Sequence, residues 1–348
     1  MSPAATLPVR ARPSARRGRW PLPVVLGLAL LGVVAVGTAS FALGARPVPW
    51  PTVLEAWTSY VPGDGDHAVV RSRAPRTVIG LVVGGALGLA GAAMQGVTRN
   101  PLADPGILGV NAGAALAVVT GIQVFGVTDL SGYVWFALAG AGVAALVVYG
   151  VASLGREGAT PVKLALAGAA VGAGLFSLLN AMLVASAATW DSYRFWAVGA
   201  LTGRDWPQLS AAAPFLAVGA VITSVTGRIL NGLAFGDDLA RGLGQRVGLG
   251  RAITALGAVL LCGAGTALVG PIAFVGLVVP HVARVLVGAD YRRVLPLSML
   301  LGAVLLLGAD VVGRVVQPPG EVPAGLLTAL LGAPVFVWLV RRRRTVTL

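Results

Sequence analysis

Few residues in this 348-residue chain are of a type that does chemistry, and their spacing limits what that chemistry can be. The chain holds 26 Lys and Arg, 13 Asp and Glu, two histidines and one cysteine. Asp310 lies inside an apolar run with Arg314 four residues on. An acid at membrane depth is a candidate proton relay, but the i, i+4 spacing also gives it an ion-pair partner on the same helix face. The pair is read as structural. Arg71, Arg73 and Arg76 cluster before one apolar run, and Arg314 sits near the end of another. Such arginines either snorkel to headgroups or meet an acidic partner or anionic substrate. In the stretch GDDLARGLG, Asp237 is expected to cap a helix and Asp238 to favour its first turn. Leu239, Leu243 and Val247 then share one face at four-residue spacing. That describes a short amphipathic helix, suited to a lipid surface or to a groove in a soluble partner. Cys262 is alone and His67 is far from His281, so neither a disulfide nor a metal spacing exists. No GxSxG, HExxH or GxxxxGK[ST] occurs. No catalytic residue is assigned, and the chain has no visible means of hydrolysing ATP.

The composition says what must position these residues. The chain is 56% apolar and 11% charged, with mean hydropathy +0.84, against about 25% charged in a soluble domain. This excludes a soluble enzyme, a nucleic-acid module and a single-span receptor. The net charge of +13 reads as cytoplasmic anchoring charge rather than a nucleic-acid footprint. Ten apolar runs follow in order: 22–44, 76–96, 106–126, 133–153, 162–187, 208–227, 252–270, 271–288, 294–317 and 322–340. Most reach the ~18 residues of a membrane span. Gly270-Pro271 splits the long apolar stretch 252–288 into two spans meeting at an outer turn, the second either full or partial.

With the N-terminus inside, 19 of the 26 basic residues fall inside. Arg46, Arg71, Arg73, Arg76, Arg194, Arg204 and Arg314 fall outside. Merging 252–288 into one span would put Arg341 to Arg344 outside, against the positive-inside rule. The expectation is therefore an all-α polytopic membrane protein with ten spans and both termini cytoplasmic. The tryptophans are expected in the interfacial belts. The run 22–44 is too long for a signal-peptide core of ~7–15 residues, so a retained first span is expected. Residues 1–20 read as a basic, disordered cytoplasmic tail, 21–341 as one transmembrane domain with its largest cytoplasmic loop at 228–251, and 342–348 as a basic tail.

Two features lie near membrane depth. Gly80, Gly84, Gly88, Ala92 and Gly96 form a row at four-residue spacing, which lets another backbone approach closely. The row is either a packing seam or the wall of a pathway or subunit contact. The following TRNPLADPGILGV breaks the apolar pattern with two prolines, Asn100 and Asp104. It is a tight inner loop or a structured turn beside a pathway. Gly80, Gly84, Gly88, Gln95, Asn100, Pro101, Asp104 and Pro105 are the candidates for pathway or helix packing.

Four stretches together resemble one family: RAPRTVIGLVVGGALGLAGAAMQGVTRNPLADPGILGV (73–110), LAFGDDLARGLGQRVG (233–248), GPIAFVGLVVPHVARVLVGADYRRVLPLSMLLGAVLLLGAD (270–310) and EVPAGLLTALLGAPVFVWL (321–339). The chain is similar to the FecCD-type permeases, membrane subunits of ABC importers for ferric siderophores, haem and cobalamin. The resemblance implies ten spans per subunit and a second permease subunit, identical or related. It also implies two cytosolic ABC ATPase subunits and an extracytoplasmic substrate-binding protein, in a bacterial cytoplasmic membrane. ATP and Mg would sit on the ATPase, with no cofactor on this chain. It implies that Gly236, Asp237, Asp238, Leu239, Ala240, Leu243 and Gly244 form the ATPase-coupling loop, and that Arg73, Arg76 and Arg314 dock the binding protein. Transport would proceed by ATP-driven alternating access, with a ferric siderophore as the first expectation and cobalamin or haem as alternatives. A reading from another class is an ion-coupled secondary transporter that titrates Asp310, and a weaker one is a structural scaffold.

Overall fold

The computed structural model describes residues 21–155 and 159–343. The tail expected over 1–20, Arg156 and residues 344–348 lie outside the described residues. Among those described, every regular element is helical: α1 (Leu22–Ala42), α2 (Trp50–Thr58), α3 (Gly65–Val97), α4 (Val110–Phe125), α5 (Leu130–Ala152), α6 (Pro161–Ala185), α7 (Ala187–Ala197), α8 (Trp206–Val225), α9 (Gly227–Leu233), α10 (Asp237–Gly242), α11 (Val247–Val269), α12 (Val275–Val287), α13 (Tyr291–Val316) and α14 (Ala324–Arg343), with a 3-10 turn at Pro105–Leu108.

Seven helices, α1, α3, α5, α6, α8, α11 and α13, are long and apolar enough to cross a membrane. The other three expected spans are the shorter apolar helices α4, α12 and the Ala324–Val337 part of α14. The break at Gly270-Pro271 is present. Gly270 adopts φ +82°, the backbone runs non-helical to Phe274, and α12 resumes at Val275. With 13 residues, α12 is about 20 Å long, well short of a ~30 Å hydrocarbon layer.

The central element is α3, against which α1, α2, α8, α11, α12 and α13 all pack. It is longer than the apolar run 76–96 suggested. Asp64 accepts from the backbone N–H groups of Asp66 and His67, which caps the helix eleven residues earlier. Pro75 then lies inside the helix rather than at its start. Nearly every residue of α3 from Val83 to Val97 is buried, whereas α1 and α6 leave large apolar side chains such as Leu31, Leu166 and Phe176 exposed.

The small-residue row is a packing seam. A methyl added at Gly84 would land on the carbonyl oxygen of Gly302, and one at Gly88 on that of Ser298, both on α13. Gly80 faces Leu307 of the same helix, and Gly96 faces Leu230 and Tyr291. The row therefore lets the two backbones touch. Trp196 is 1% exposed and packs in a tilted arrangement on Tyr193.

Candidate functional site at the two bundle ends

Two charged clusters lie near opposite ends of α3, one around Asp310 with Arg76 and one around Asp237 with Arg99. The first end is organised around Asp310. Arg76 donates to both Asp310 oxygens at 2.8–3.2 Å and, through Nη1, to Glu321 Oε2 at 2.8 Å. Arg314, one turn along α13, donates Nε to Asp310 Oδ2 at 2.9 Å, and its Nη2 also reaches that oxygen. Its remaining protons go to Ser40 O at 3.0 Å and Ser40 Oγ at 2.9 Å. Thr202 adds a bond to Glu321 at 3.0 Å. Two carboxylates, Asp310 and Glu321, with Arg76 and Arg314 between them thus tie α1, α3 and α13 to the segments before α8 and α14. Asp310 and Arg314 are 1% and 2% exposed. Charges this deep are tolerable because each is paired and hydrogen-bonded.

The three arginines expected to dock a binding protein all have partners inside the chain. Arg314 is enclosed, and each of its three guanidinium nitrogens is bonded inside the chain. Arg73 is also buried, and its two terminal nitrogens donate to Phe41 O and Arg46 O, both at 2.6 Å. Arg76 is held by two acids, Asp310 and Glu321. The i, i+4 pairing of Asp310 with Arg314 is present as expected, enlarged by Arg76.

The second end is organised around Asp237. It does not cap α10 as expected: Gly236, at φ +102°, holds the N-cap position. Asp237, the first helical residue, turns back toward the bundle. Arg251, at the head of α11, donates Nη2 to both its oxygens at 3.0 and 3.2 Å and Nη1 to Ala159 O at 3.0 Å. Arg99 approaches Asp237 from the other side at 3.3 Å. Asp238 is fully exposed and pairs with Arg241. Ala240 is buried, while Phe235, Leu239 and Leu243 are 69%, 58% and 67% exposed. Gly244, at φ +82°, ends the element. Val247 leaves the expected stripe, because the chain turns after α10 and Val247 enters the core as the first residue of α11. What remains is a six-residue helix with Leu239 bare on it and Phe235 and Leu243 bare at its two ends.

The segment between α3 and α4 is built by its Asn-Pro and Asp-Pro pairs. Asn100 Oδ1 accepts from Leu102 N at 3.0 Å and Asp104 Oδ1 from Gly106 N at 2.8 Å. A residue before proline is pushed to extended backbone, and each short acceptor then closes an Asx turn. Pro101 and Pro105 thereby set two successive bends, Pro105 opening the 3-10 turn. Burial pushes the Asp104 carboxyl up from its ordinary range, against the lowering effect of the Gly106 amide. Nearby, Gln95 donates to Gly276 O and Leu277 O at 3.1 and 3.2 Å and accepts from Arg284. It clamps the start of α12 onto α3. Asn231 bridges Asp290 at 2.7 Å and Tyr291 N at 2.8 Å. That bond is the chief reason the Asp290 carboxyl is held below the usual carboxylate range.

Arg99, Arg251, Ser40 and Glu321 were not singled out by sequence reasoning. The available signals were a basic residue just before the NPLADP turn and an arginine at the head of an apolar run, each needing a partner. Among the described residues, no three His, Cys, Asp or Glu side chains gather as a metal site.

Residues 31–342 match the FecCD transport family. The chain is 45% identical over 320 residues to the ferric enterobactin transport system permease protein FepD of Escherichia coli, a match covering 92% of this chain and 95% of that protein. It is 41% identical over 322 residues to the iron(3+)-hydroxamate import system permease protein FhuB of Bacillus subtilis, covering 92% and 83%. Among solved structures it superposes on an inward-facing metal-chelate type ABC transporter with TM-score 0.79 and 27% identity, covering 92% of this chain and 99% of that one.

Proposed function

Because the chain belongs to the FecCD transport family, we propose that it is the membrane permease subunit of an ABC importer that carries ferric-siderophore complexes inward. The observation that carries this reading is the near end-to-end match to permeases of iron-chelate import systems. The chain performs no covalent chemistry. It supplies a wall of the pathway, and the energy comes from a separate cytosolic ATPase.

In this reading the Asp237 end faces the cytoplasm, as the excess of basic residues on that side requires. The exposed Phe235, Leu239 and Leu243 seat in a groove of the ATPase, the helix-in-groove mode of recognition. Ala240 packs the other side of α10 onto the bundle. ATP-driven movement of the groove then pulls on Asp237, whose two arginines pass the displacement to the head of α11 and to the NPLADP turn. The Asp310 end faces outward and stays rigid, so the helices tilt about it. A second permease subunit covers apolar surface left bare in the isolated chain, and an extracytoplasmic binding protein delivers cargo.

The test is uptake of labelled iron, presented as ferric siderophores, in cells with and without this chain. Loss of uptake for one siderophore class, restored by the intact gene, is the expected result. Unchanged iron uptake with lost uptake of labelled cobalamin or haem would reassign the cargo within the family.

A further inference from the structure

A groove of about 420 Å³ runs between α1 and α13, with Leu286 of α12 at its side. Every residue that lines it is apolar, among them Leu28 and Gly32 of α1 and Leu297, Leu301 and Val304 of α13. Both helices are long and apolar enough to cross a membrane, and α1 keeps few of its side chains buried. Gly32 lies against Val304: a methyl added to it would sit 3.4 Å from Val304 Cγ2. The two helices touch at that level, and the other lining residues of both lie N-terminal to it. Leu297 and Val304 share one face of α13, and Arg293 stands one turn before Leu297 on that face. Eleven residues separate Arg293 from Val304, a rise of about 16 Å, which is half of a ~30 Å hydrocarbon layer. The groove therefore has the depth of one leaflet, with Arg293 at its mouth and the Gly32–Val304 contact at its floor.

The charge at the mouth selects the occupant. Arg292 and Arg293 keep their side chains 59% and 47% exposed and share one acid, Asp290, at 3.6 and 3.9 Å, both beyond hydrogen-bond reach. One oxygen of Asp290 is already taken by Asn231 and by the backbone N–H of Arg292. Two guanidinium groups against one carboxylate leave net positive charge where the apolar groove opens. A guanidinium fork fits a phosphate, and basic sites between membrane helices hold anionic headgroups. An apolar groove left empty would forfeit the dispersion contacts of its walls, and an acyl chain restores them. We propose that this groove binds one anionic phospholipid, its phosphate on Arg293 with Arg292 beside it and one acyl chain laid along α13 as far as Val304. That the lipid belongs to the inner leaflet rests on the proposed cytoplasmic side of the Asp237 end; the binding itself does not, so lost lipid binding and unchanged iron uptake are separate results.

The test melts the full-length chain in a non-ionic detergent at constant ionic strength. Three probes are added in turn: dioleoyl phosphatidylglycerol, dioleoyl phosphatidylcholine and glycerol 3-phosphate. The expected result is a saturable Tm rise of about 3 °C or more with phosphatidylglycerol, a smaller one with phosphatidylcholine and none with glycerol 3-phosphate. Arg293→Gln should melt with the parent in phosphatidylcholine and lose the extra rise in phosphatidylglycerol. Arg246→Gln, which removes the same charge from an exposed site on another element, should keep it. Leu301→Trp fills the groove and leaves Arg293 in place, so it should lose the rise as well. Equal rises with the two lipids, a rise with glycerol 3-phosphate as large as with phosphatidylglycerol, or an extra rise retained by Arg293→Gln would each overturn the site. So would equal losses in Arg293→Gln and Arg246→Gln, which mark a response to overall charge, or a Leu301→Trp chain that melts cooperatively and keeps the extra rise.

Discussion

Arg99 Nη2 lies 3.3 Å from Asp237 Oδ1, which joins the residue before the NPLADP turn to the first residue of α10. Arg99 adopts a left-handed backbone, φ 51°, a conformation that costs a non-glycine residue about 1–2 kcal/mol and needs surrounding structure to hold it. Asp237 also takes the buried Arg251. A single carboxylate therefore links α10, α11 and the turn that ends α3. Asp237→Asn and Arg99→Gln should leave the chain inserted and bound to its ATPase while lowering uptake at least tenfold. The double variant should be no worse than Asp237→Asn alone, as for residues acting in one link. Uptake and ATPase co-purification measured together check this, and losses that simply add would show two separate roles.

The bare side chains of α10 make a second, distinct prediction. Leu243 is 67% exposed and packs on nothing essential to this chain. Leu243→Arg should therefore leave expression and insertion unchanged and abolish ATPase association, since a charge would be buried in an apolar groove. The same substitution at Val247, which is 5% exposed, should instead prevent folding.

Asp310 separates a structural acid from a titrating one. Removing it leaves Arg314 buried without its acid and Arg76 with Glu321 alone, and breaking a buried pair typically costs about 3–5 kcal/mol. Asp310→Ala should collapse the folded yield. Reversing Arg314 to Glu should do the same rather than merely weaken binding-protein affinity. A well-folded Asp310→Asn chain whose uptake becomes insensitive to a protonophore, where the parent is sensitive, would favour proton coupling instead.

The seam between α3 and α13 has no room to spare. Gly88→Val would drive a branched side chain into the Ser298 carbonyl and the Gly302 backbone, with a cost of about 1–3 kcal/mol or more. Gly142, where nothing lies within 4 Å of an added methyl, should accept alanine with no change in melting temperature. Nanodisc melting of the two variants measures the contrast.

What could be read in the sequence was what is local. Apolar runs bounded by charge mark helices because lipid demands long stretches without charge, and the break at Gly270-Pro271 was visible for the same reason. Asp310 with Arg314 was legible because four residues is one helical turn. The partner from α3, Arg76, lies 234 positions from Asp310, and no spacing rule reaches that far. Arg73 and Arg314 look like surface charge until the fold brings the carbonyls of Phe41 and Ser40 to them. The extension of α3 below Pro75 was hidden because a proline after a basic cluster reads as a helix start. The helices α2 and α7, at 9 and 11 residues, are too short to register as spans. The stripe through Val247 failed because periodicity assumes one unbroken helix, and Gly244 breaks it.

The most direct test of the central claim is iron accumulation in proteoliposomes that hold this chain with its ATPase, supplied with the binding protein and a labelled ferric siderophore. Accumulation that requires ATP, survives a protonophore and disappears with Leu243→Arg is the predicted result. Accumulation without ATP that follows an imposed proton gradient would contradict it.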